Sequence, residues 1–280
     1  MRADRDRHAA RPSHKGAGPS AFTDRGVRPC AGLRSAVFAN VERMTVALEI
    51  AVQDPAGARA AIAAGADRLE LCQALGVGGL TPSIALIEAA VAAVGGDRVN
   101  VLARPRGGGF VYDGDEIDLV AADIAAAVSA GAGGVVVGAL TPTWQADLAA
   151  VARWRDAAGT ATLVFHRAID ATPDPLAVLA QLRGAGVDRV LTSGGAVRSI
   201  DGLDTLAAMV AERGAVEIMA GGGIRTEDIP AIVGTGVQAV HLSARGQAGL
   251  DAPSGPGGGT AGHDVTDATL VVAALAETRG

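Results

Sequence analysis

The chain is 280 residues long, 49% hydrophobic and 19% charged, with a formal net charge of −6, a balance that excludes intrinsic disorder and suits one large α/β domain. Of its 24 basic residues 23 are arginine and one is Lys15, so Schiff-base chemistry and a P-loop lysine are excluded from the body of the chain. Aromatic residues at 2% argue against base-stacking platforms.

Residues 1–43 hold nine basic groups against four acids, which leaves −11 for residues 44–280. The first segment lacks a continuous apolar stretch and carries Asp4, Asp6 and Asp24, so it reads as a disordered basic extension rather than a targeting peptide. Met44 stands directly before the first clean strand and marks the expected start of the fold. An acidic body repels phosphate, so nucleic acid is not an expected partner. No run of about 18 apolar residues is present, so no membrane partner is expected. Cys30 falls in the extension and Cys72 in the body. The body therefore has no internal disulfide, which fits a reducing cytoplasm, and zinc spacings such as C-x-x-C are missing.

From residue 45 onward, short apolar runs alternate with longer alanine-rich stretches. The expected strands are 45–52, 68–72, 99–104, 134–138, 162–166, 189–192, 216–220 and 239–243. Between them the apolar spacing is helical, as in Ile84, Ile87, Ala90, Val91 and Val94. Gly65 and Gly186 each precede an Ala/Val-Asp-Arg step into a strand, the position of a left-handed helix cap. Eight such units predict a single-domain (β/α)8 TIM barrel over residues 44–280. A doubly wound open sheet is the competing architecture. No strand is followed by G-x-G-x-x-G, so no nucleotide cofactor is expected. Residues 246–262, rich in Gly, Pro and Ser, predict a flexible loop after the last strand. A final helix is expected from a cap at Thr266 or Asp267 to about Thr278.

In a barrel, alternate strand residues pack outward on helices or point inward. This parity puts Glu49 and Ala51 of the first strand inside, with Glu70 and Cys72 of the second. It does the same for Asn100, Leu102 and Arg104 of the third strand, His166 of the fifth, Glu217 and Met219 of the seventh, and His241 and Ser243 of the eighth. Isolated buried charges cost several kcal/mol each, so these groups either pair structurally (Glu70 with Arg104, for instance) or serve a ligand. Glu217, early in its strand, reads as structural or exposed. Glu49, Glu70, His166 and His241 are the candidate catalytic groups, His166 as a general base near neutral pH.

Three glycine-rich loops follow strands at the same end: Arg104 to Gly109, Ser193-Gly194-Gly195, and Gly221-Gly222-Gly223 with Ile224 and Arg225. Their amides, the positive end of a helix expected near Thr226, and Arg104, Arg106 and Arg167 are candidates for holding an anion. The anion-binding candidates are thus Arg104, Arg106, Arg167, Ser193, Gly194, Gly222 and Gly223. Tight turns use the same glycines, so the loops have a plain structural reading too.

Leu48-Glu49-Ile50, Gly65-Ala66-Asp67-Arg68-Leu69-Glu70-Leu71-Cys72, Gly78-Gly79-Leu80-Thr81-Pro82-Ser83 and Arg104-Pro105-Arg106-Gly107-Gly108 resemble the CutC family. So do Phe165-His166-Arg167-Ala168, Arg189-Val190-Leu191-Thr192-Ser193-Gly194, Gly221-Gly222-Gly223 and Val240-His241, all in the family's order. The resemblance implies a cytoplasmic TIM barrel with a role in copper handling, and copper(I) as a partner held through Cys72. Family members often carry cysteine after the Leu-Glu-Ile run, where this chain has Ala51, which puts a paired-thiolate copper site in doubt. Three readings stay open: a copper homeostasis protein, a lyase- or isomerase-type enzyme on a small phosphorylated or carboxylated substrate, and a purely structural role. A homo-oligomer is compatible with all of them.

Overall fold

A computed structural model describes residues 45–251 and 261–280. The basic extension, Lys15, Cys30 and Met44 lie outside the described residues.

The eight expected strands are present: β1 (Ala47–Val52), β2 (Arg68–Leu71), β3 (Val99–Leu102), β4 (Gly134–Val137), β5 (Thr162–Phe165), β6 (Arg189–Thr192), β7 (Glu217–Gly221) and β8 (Ala239–Leu242). All neighbours pair in parallel and β8 closes onto β1, so the sheet is a closed barrel in sequence order. This excludes the open doubly wound sheet. Among the described residues eight helices cover it: α1 (Pro55–Ala63), α2 (Ile84–Val94), α3 (Gly114–Ser129), α4 (Leu148–Ala158), α5 (Pro175–Leu182), α6 (Leu203–Glu212), α7 (Ile229–Val233) and α8 (Ala268–Arg279).

Local chemistry sets these boundaries. Asp54, Asp113, Asp147 and Asp174 each accept a backbone N–H three residues on at a helix start, and Pro55 and Pro175 follow two of them, the residues preferred there. Gly65 and Gly186 adopt φ of +100° and +74°, so the chain reverses out of α1 and α5 where residues with a Cβ are strained. The Asp of the repeated Gly-x-Asp-Arg step has a second task. Asp67 accepts from the Leu48 amide and Asp188 from the Leu163 amide, each at 2.8 Å, tying a strand entry to its neighbour.

The parity holds around the barrel. Leu48, Ile50, Leu69, Leu71, Val101, Leu163, Phe165 and Val240 belong to the layer between sheet and helices. Cys72, Leu102, Val136, Val164, Leu191, Met219 and Ala239 fill the interior as a separate apolar cluster.

Two local expectations are corrected, those for residues 246–262 and for Thr226, while the last helix takes one of its two expected caps. The segment around residues 246–262 is framed by an antiparallel pair, β9 (Arg245–Ala248) and β10 (His263–Thr266). Residues 252–260 of the expected flexible loop lie outside the described residues. Asp267, with its side chain on the Thr269 amide, caps the last helix. No long helix starts at Thr226: residues Thr226–Asp228 form one 3-10 turn, and Asp228 itself accepts from the Arg225 amide. No helix among the described residues is long and apolar enough to cross a membrane.

Candidate active site

At the C-terminal mouth of the barrel lies a cavity of about 250 Å³ bordered by Ala51, Glu70, Arg104, His166, Arg167, His241 and the Gly222–Ile224 loop. This is the face where barrel enzymes keep their chemistry.

Strand register builds one wall. Glu49 is paired with Arg68 on β2 and with His241 on β8. Its Oε2 accepts from Arg68 Nε at 2.8 Å and Asn100 Nδ2 at 3.0 Å, and its Oε1 meets His241 Nδ1 at 2.9 Å. Burial raises the Glu49 pKa, but the His241 hydrogen bond and the charges of Arg68, His241 and Arg189 outweigh it and hold the carboxyl at about 2. His241 Nδ1 therefore donates, and its Nε2 lies 3.8 Å from Glu70 Oε2. Burial opposes charge on His241, yet Glu70 and Glu49 on either side raise its pKa. Burial, helped by Glu49, raises the Glu70 pKa against the pull of His241. The result is a line from ionised Glu49 through His241 to Glu70, in which only the last two reach the cavity.

The opposite wall is organised by His166. Its Nδ1 accepts the Ala168 amide at 3.1 Å, so the ring proton sits on Nε2, which has no acceptor among the described residues. Burial first, then the Arg104 charge, lowers its pKa to about 3. The expectation of a general base at His166 is thereby corrected: a neutral ring with its lone pair committed to the backbone is a hydrogen-bond donor. The ring sits against Phe110, centroids 5.0 Å apart. It also needs glycine at Gly138, where a Cβ would fall 2.3 Å from Nδ1.

Arg104 is 7% exposed and its guanidinium lies over Phe110 at 5.1 Å. Its Nη atoms donate to the carbonyls of Gly78, Gly79 and Gly108, while Nε is buried without a partner among the described residues. Among the described residues no carboxylate pairs with it, so the structural pairing with Glu70 is not formed and its charge remains uncompensated. Arg106 turns away, bonded to Glu116 and stacked on Tyr112, and does not border the cavity.

Arg167 does border it. Its Nε donates to Asp170 at 2.8 Å and its Nη2 to Ser193 Oγ at 3.0 Å. The expectation that the Ser193-Gly194-Gly195 loop offers its amides to a ligand is corrected. The Ser193 and Gly195 amides donate to Asp170 and the Gly194 amide to Thr192 Oγ1, so the protein's own carboxylate fills that nest. Gly222 and Gly223, in contrast, line the cavity.

Cys72 is fully buried in the apolar interior, and burial and Glu70 raise its thiol pKa. The sulfur of Met219 accepts from Arg68 Nη2 at 3.4 Å. Among the described residues no three His, Cys, Asp or Glu side chains converge as metal ligands. Copper(I) wants two or more soft donors able to meet. With Ala51 in the cavity wall and Cys72, the one thiol among the described residues, enclosed away from the cavity, these residues do not fit it.

Asn100, Arg68, Arg189, Asp170 and Phe110 shape the site without being candidate site residues from sequence. Inward alternation reaches Arg68, two residues before Glu70, and Arg189, two before Leu191. Asp170 carries no such signal.

The CutC family model matches residues 46–246. A CutC family protein of Xanthomonas campestris pv. campestris (strain 8004) is 42% identical over 205 residues, covering 71% of this chain and 83% of the relative. One from Agrobacterium fabrum is 40% identical over 194 residues, covering 69% and 76%. A solved CutC structure from Streptococcus agalactiae, named for copper homeostasis, is 31% identical, with a TM-score of 0.63 over 71% of this chain and 98% of that one. Thiamine phosphate pyrophosphorylase from Pyrococcus furiosus, at 14% identity and a TM-score of 0.52, shares the barrel alone.

Proposed function

The chain belongs to the CutC family, and from that premise and the geometry of the cavity we propose that it is an acid–base enzyme of lyase or isomerase type acting on a small phosphorylated or carboxylated carbonyl compound. One observation carries the reading: a Glu70–His241 pair, with Glu70 buried, faces a neutral His166 N–H and an Arg104 without a carboxylate partner among the described residues across one cavity.

Glu70 takes a proton from the carbon next to the substrate carbonyl. The C–H electron pair moves into an enolate whose oxygen receives the His166 Nε2–H and the field of Arg104. His241, held by ionised Glu49, sets the charge beside Glu70 and accepts or returns the proton. In a 2-hydroxy carbonyl compound the hydroxyl proton passes to the enolate oxygen and the proton held by Glu70 goes to the former carbonyl carbon, which gives the isomer. Where the carbon beyond the deprotonated one bears a leaving group, that group departs with its bonding electrons and takes up the proton, which gives a lyase product. Burial supports Glu70 in this role because a carboxyl with a raised pKa is a stronger base, and the fixed imidazole N–H suits a developing oxyanion.

The test is solvent exchange. Phosphorylated aldoses and ketoses and 2-oxo carboxylates are incubated with the protein in D2O and followed by proton NMR. Deuterium is expected at the carbon next to the carbonyl of at least one member. Glu70→Gln should slow this by roughly 10²–10⁴-fold and His166→Gln by roughly 10²–10³-fold. Exchange in no member, or at an unchanged rate in Glu70→Gln, sinks the reading.

The family name favours a second reading, cytoplasmic copper(I) binding through Cys72. The enclosed thiol and the bonded Met219 sulfur weigh against it. Titration of copper(I) against a competing chelator should give equal, weak affinities for wild type and Cys72→Ala. A tight site lost in that variant would restore the copper reading.

A further inference from the structure

We propose that the anionic group of the substrate is a phosphate, bound by the amides of Gly223 and Ile224 with the Arg167 guanidinium, and that Asp170 is the positioning residue that sets this subsite. The proposal rests on the acid–base reading above and names the substrate class more narrowly.

The amides are aimed by their own peptide planes. The Gly222 carbonyl accepts from the Ser199 amide at 2.9 Å, and the Gly223 carbonyl from Arg198 Nε at 3.2 Å. Arg198 is itself held by Asp228 at 2.5 Å. In a trans peptide the N–H of the next residue points opposite to the carbonyl, so the Gly223 and Ile224 N–H groups face away from Ser199 and Arg198. Neither has an acceptor among the described residues, and both residues line the cavity. The loop after the seventh strand is a recurrent phosphate position in barrels.

The guanidinium is the second half of the subsite. A Cβ on Gly222 would lie 2.8 Å from Arg167 Cζ and 2.9 Å from its Nη1, so the planar group stacks on the bare backbone there. Asp170 fixes Nε and Ser193 Oγ fixes Nη2, while Nη1 has no partner among the described residues. Asp170 is almost wholly enclosed and is itself anchored by Thr192 Oγ1 and the Ser193 and Gly195 amides. Donors from two peptide planes and a guanidinium edge suit an anion with three free oxygens better than a flat carboxylate. An independent sign of a ligand lies in the same cavity: His166 is 6% exposed and its Nε2 has no partner among the described residues.

The experiment is calorimetric titration of inorganic phosphate into the full chain. Saturable binding is expected for wild type, at least tenfold weaker in Arg167→Met. Asp170→Asn keeps an acceptor for the nest amides but loses the charge opposite Arg167, and should weaken phosphate about tenfold. In the Arg167→Met background the same change should have no further effect, which a merely structural role would not produce. Absence of phosphate binding by wild type, unchanged affinity in Asp170→Asn, or effects that multiply in the double variant would each overturn the proposal. Should Asp170→Asn fail to fold, Ser193→Ala, which removes the nearer acceptor of Arg167 Nη2 and leaves it the Ala196 carbonyl at 3.4 Å, decides in its place by the same outcomes. Wild type that exchanges deuterium on 2-oxo carboxylates yet ignores phosphate refutes this subsite alone. Wild type that binds phosphate but exchanges nothing refutes the acid–base reading alone.

Discussion

A single backbone amide decides what His166 can do. Because the Ala168 N–H takes the Nδ1 lone pair, protonating the ring would break that bond and place an unshared charge beside Arg104 in a buried site. The pKa near 3 follows from these two facts and has a consequence for stability. An unfolded histidine takes up its proton below about 6.5, whereas the folded one resists until about 3. The unfolded state thus binds more protons in that window, and folding stability is lost as pH falls through it. Between pH 7 and pH 4.5 the loss from this one residue is on the order of 3 kcal/mol. Urea unfolding of wild type and His166→Gln at the two pH values isolates it. The variant should be less sensitive to acid by about that amount, and parallel losses in both proteins would show that His166 is already charged in the native state.

Elements were legible where one rule governs a whole segment. Short apolar runs place β1 to β8 within about two residues of their ends, and alternation along each strand assigns Glu49, Glu70, Arg104, His166 and His241 to the inward side. Loops obey no such rule, because their conformation depends on partners distant in sequence. The glycines after β6 and after β7 look alike as text. Yet Asp170, more than 20 residues upstream, closes the first nest, while Ser199 and Arg198 hold the second open. Arg104 and Arg106, two residues apart, part in the same way. One reaches carbonyls of the turn before α2 and the loop before α3, the other the capping glutamate of α3. The paired strands β9 and β10 were hidden for a different reason: the polar sequences RGQA and HDVT lack the apolar alternation that marks a half-buried strand. At Thr226, Pro230 at the first turn of α7 fits the start of a helix, so the turn before it stays separate and short.

The barrel as a whole stands on a charged plug below its apolar interior, and the plug connects stability to the site. Arg68 donates to Glu49 at 2.8 Å and to Glu217 at 2.5 Å, and Arg189 meets Glu217 at 2.9 Å and Glu49 at 3.7 Å. Two cations face two carboxylates, so the cluster is balanced, and removing one member leaves charge stranded away from water. Breaking a buried pair from one side costs about 3–5 kcal/mol, and at this chain length each kcal/mol moves the melting temperature by roughly 2–4 °C. Arg68→Met should therefore melt about 6–20 °C below wild type at pH 7. The deficit should depend on acid in a defined direction. Glu49 has its pKa lowered to about 2 from the ordinary 4.5 of a glutamate, so its stabilising contribution is present above about 4.5 and fades as pH falls toward 2. Once Glu49 is protonated it no longer needs Arg68, and the gap between variant and wild type should narrow across that window. A gap of constant size would mean that Arg68 acts through packing of its alkyl stem instead. The same carboxylate orients His241, so the charge account also requires that Arg68→Met disturb the His241 imidazole signals in NMR, though the substitution lies at the far end of the barrel from the cavity mouth.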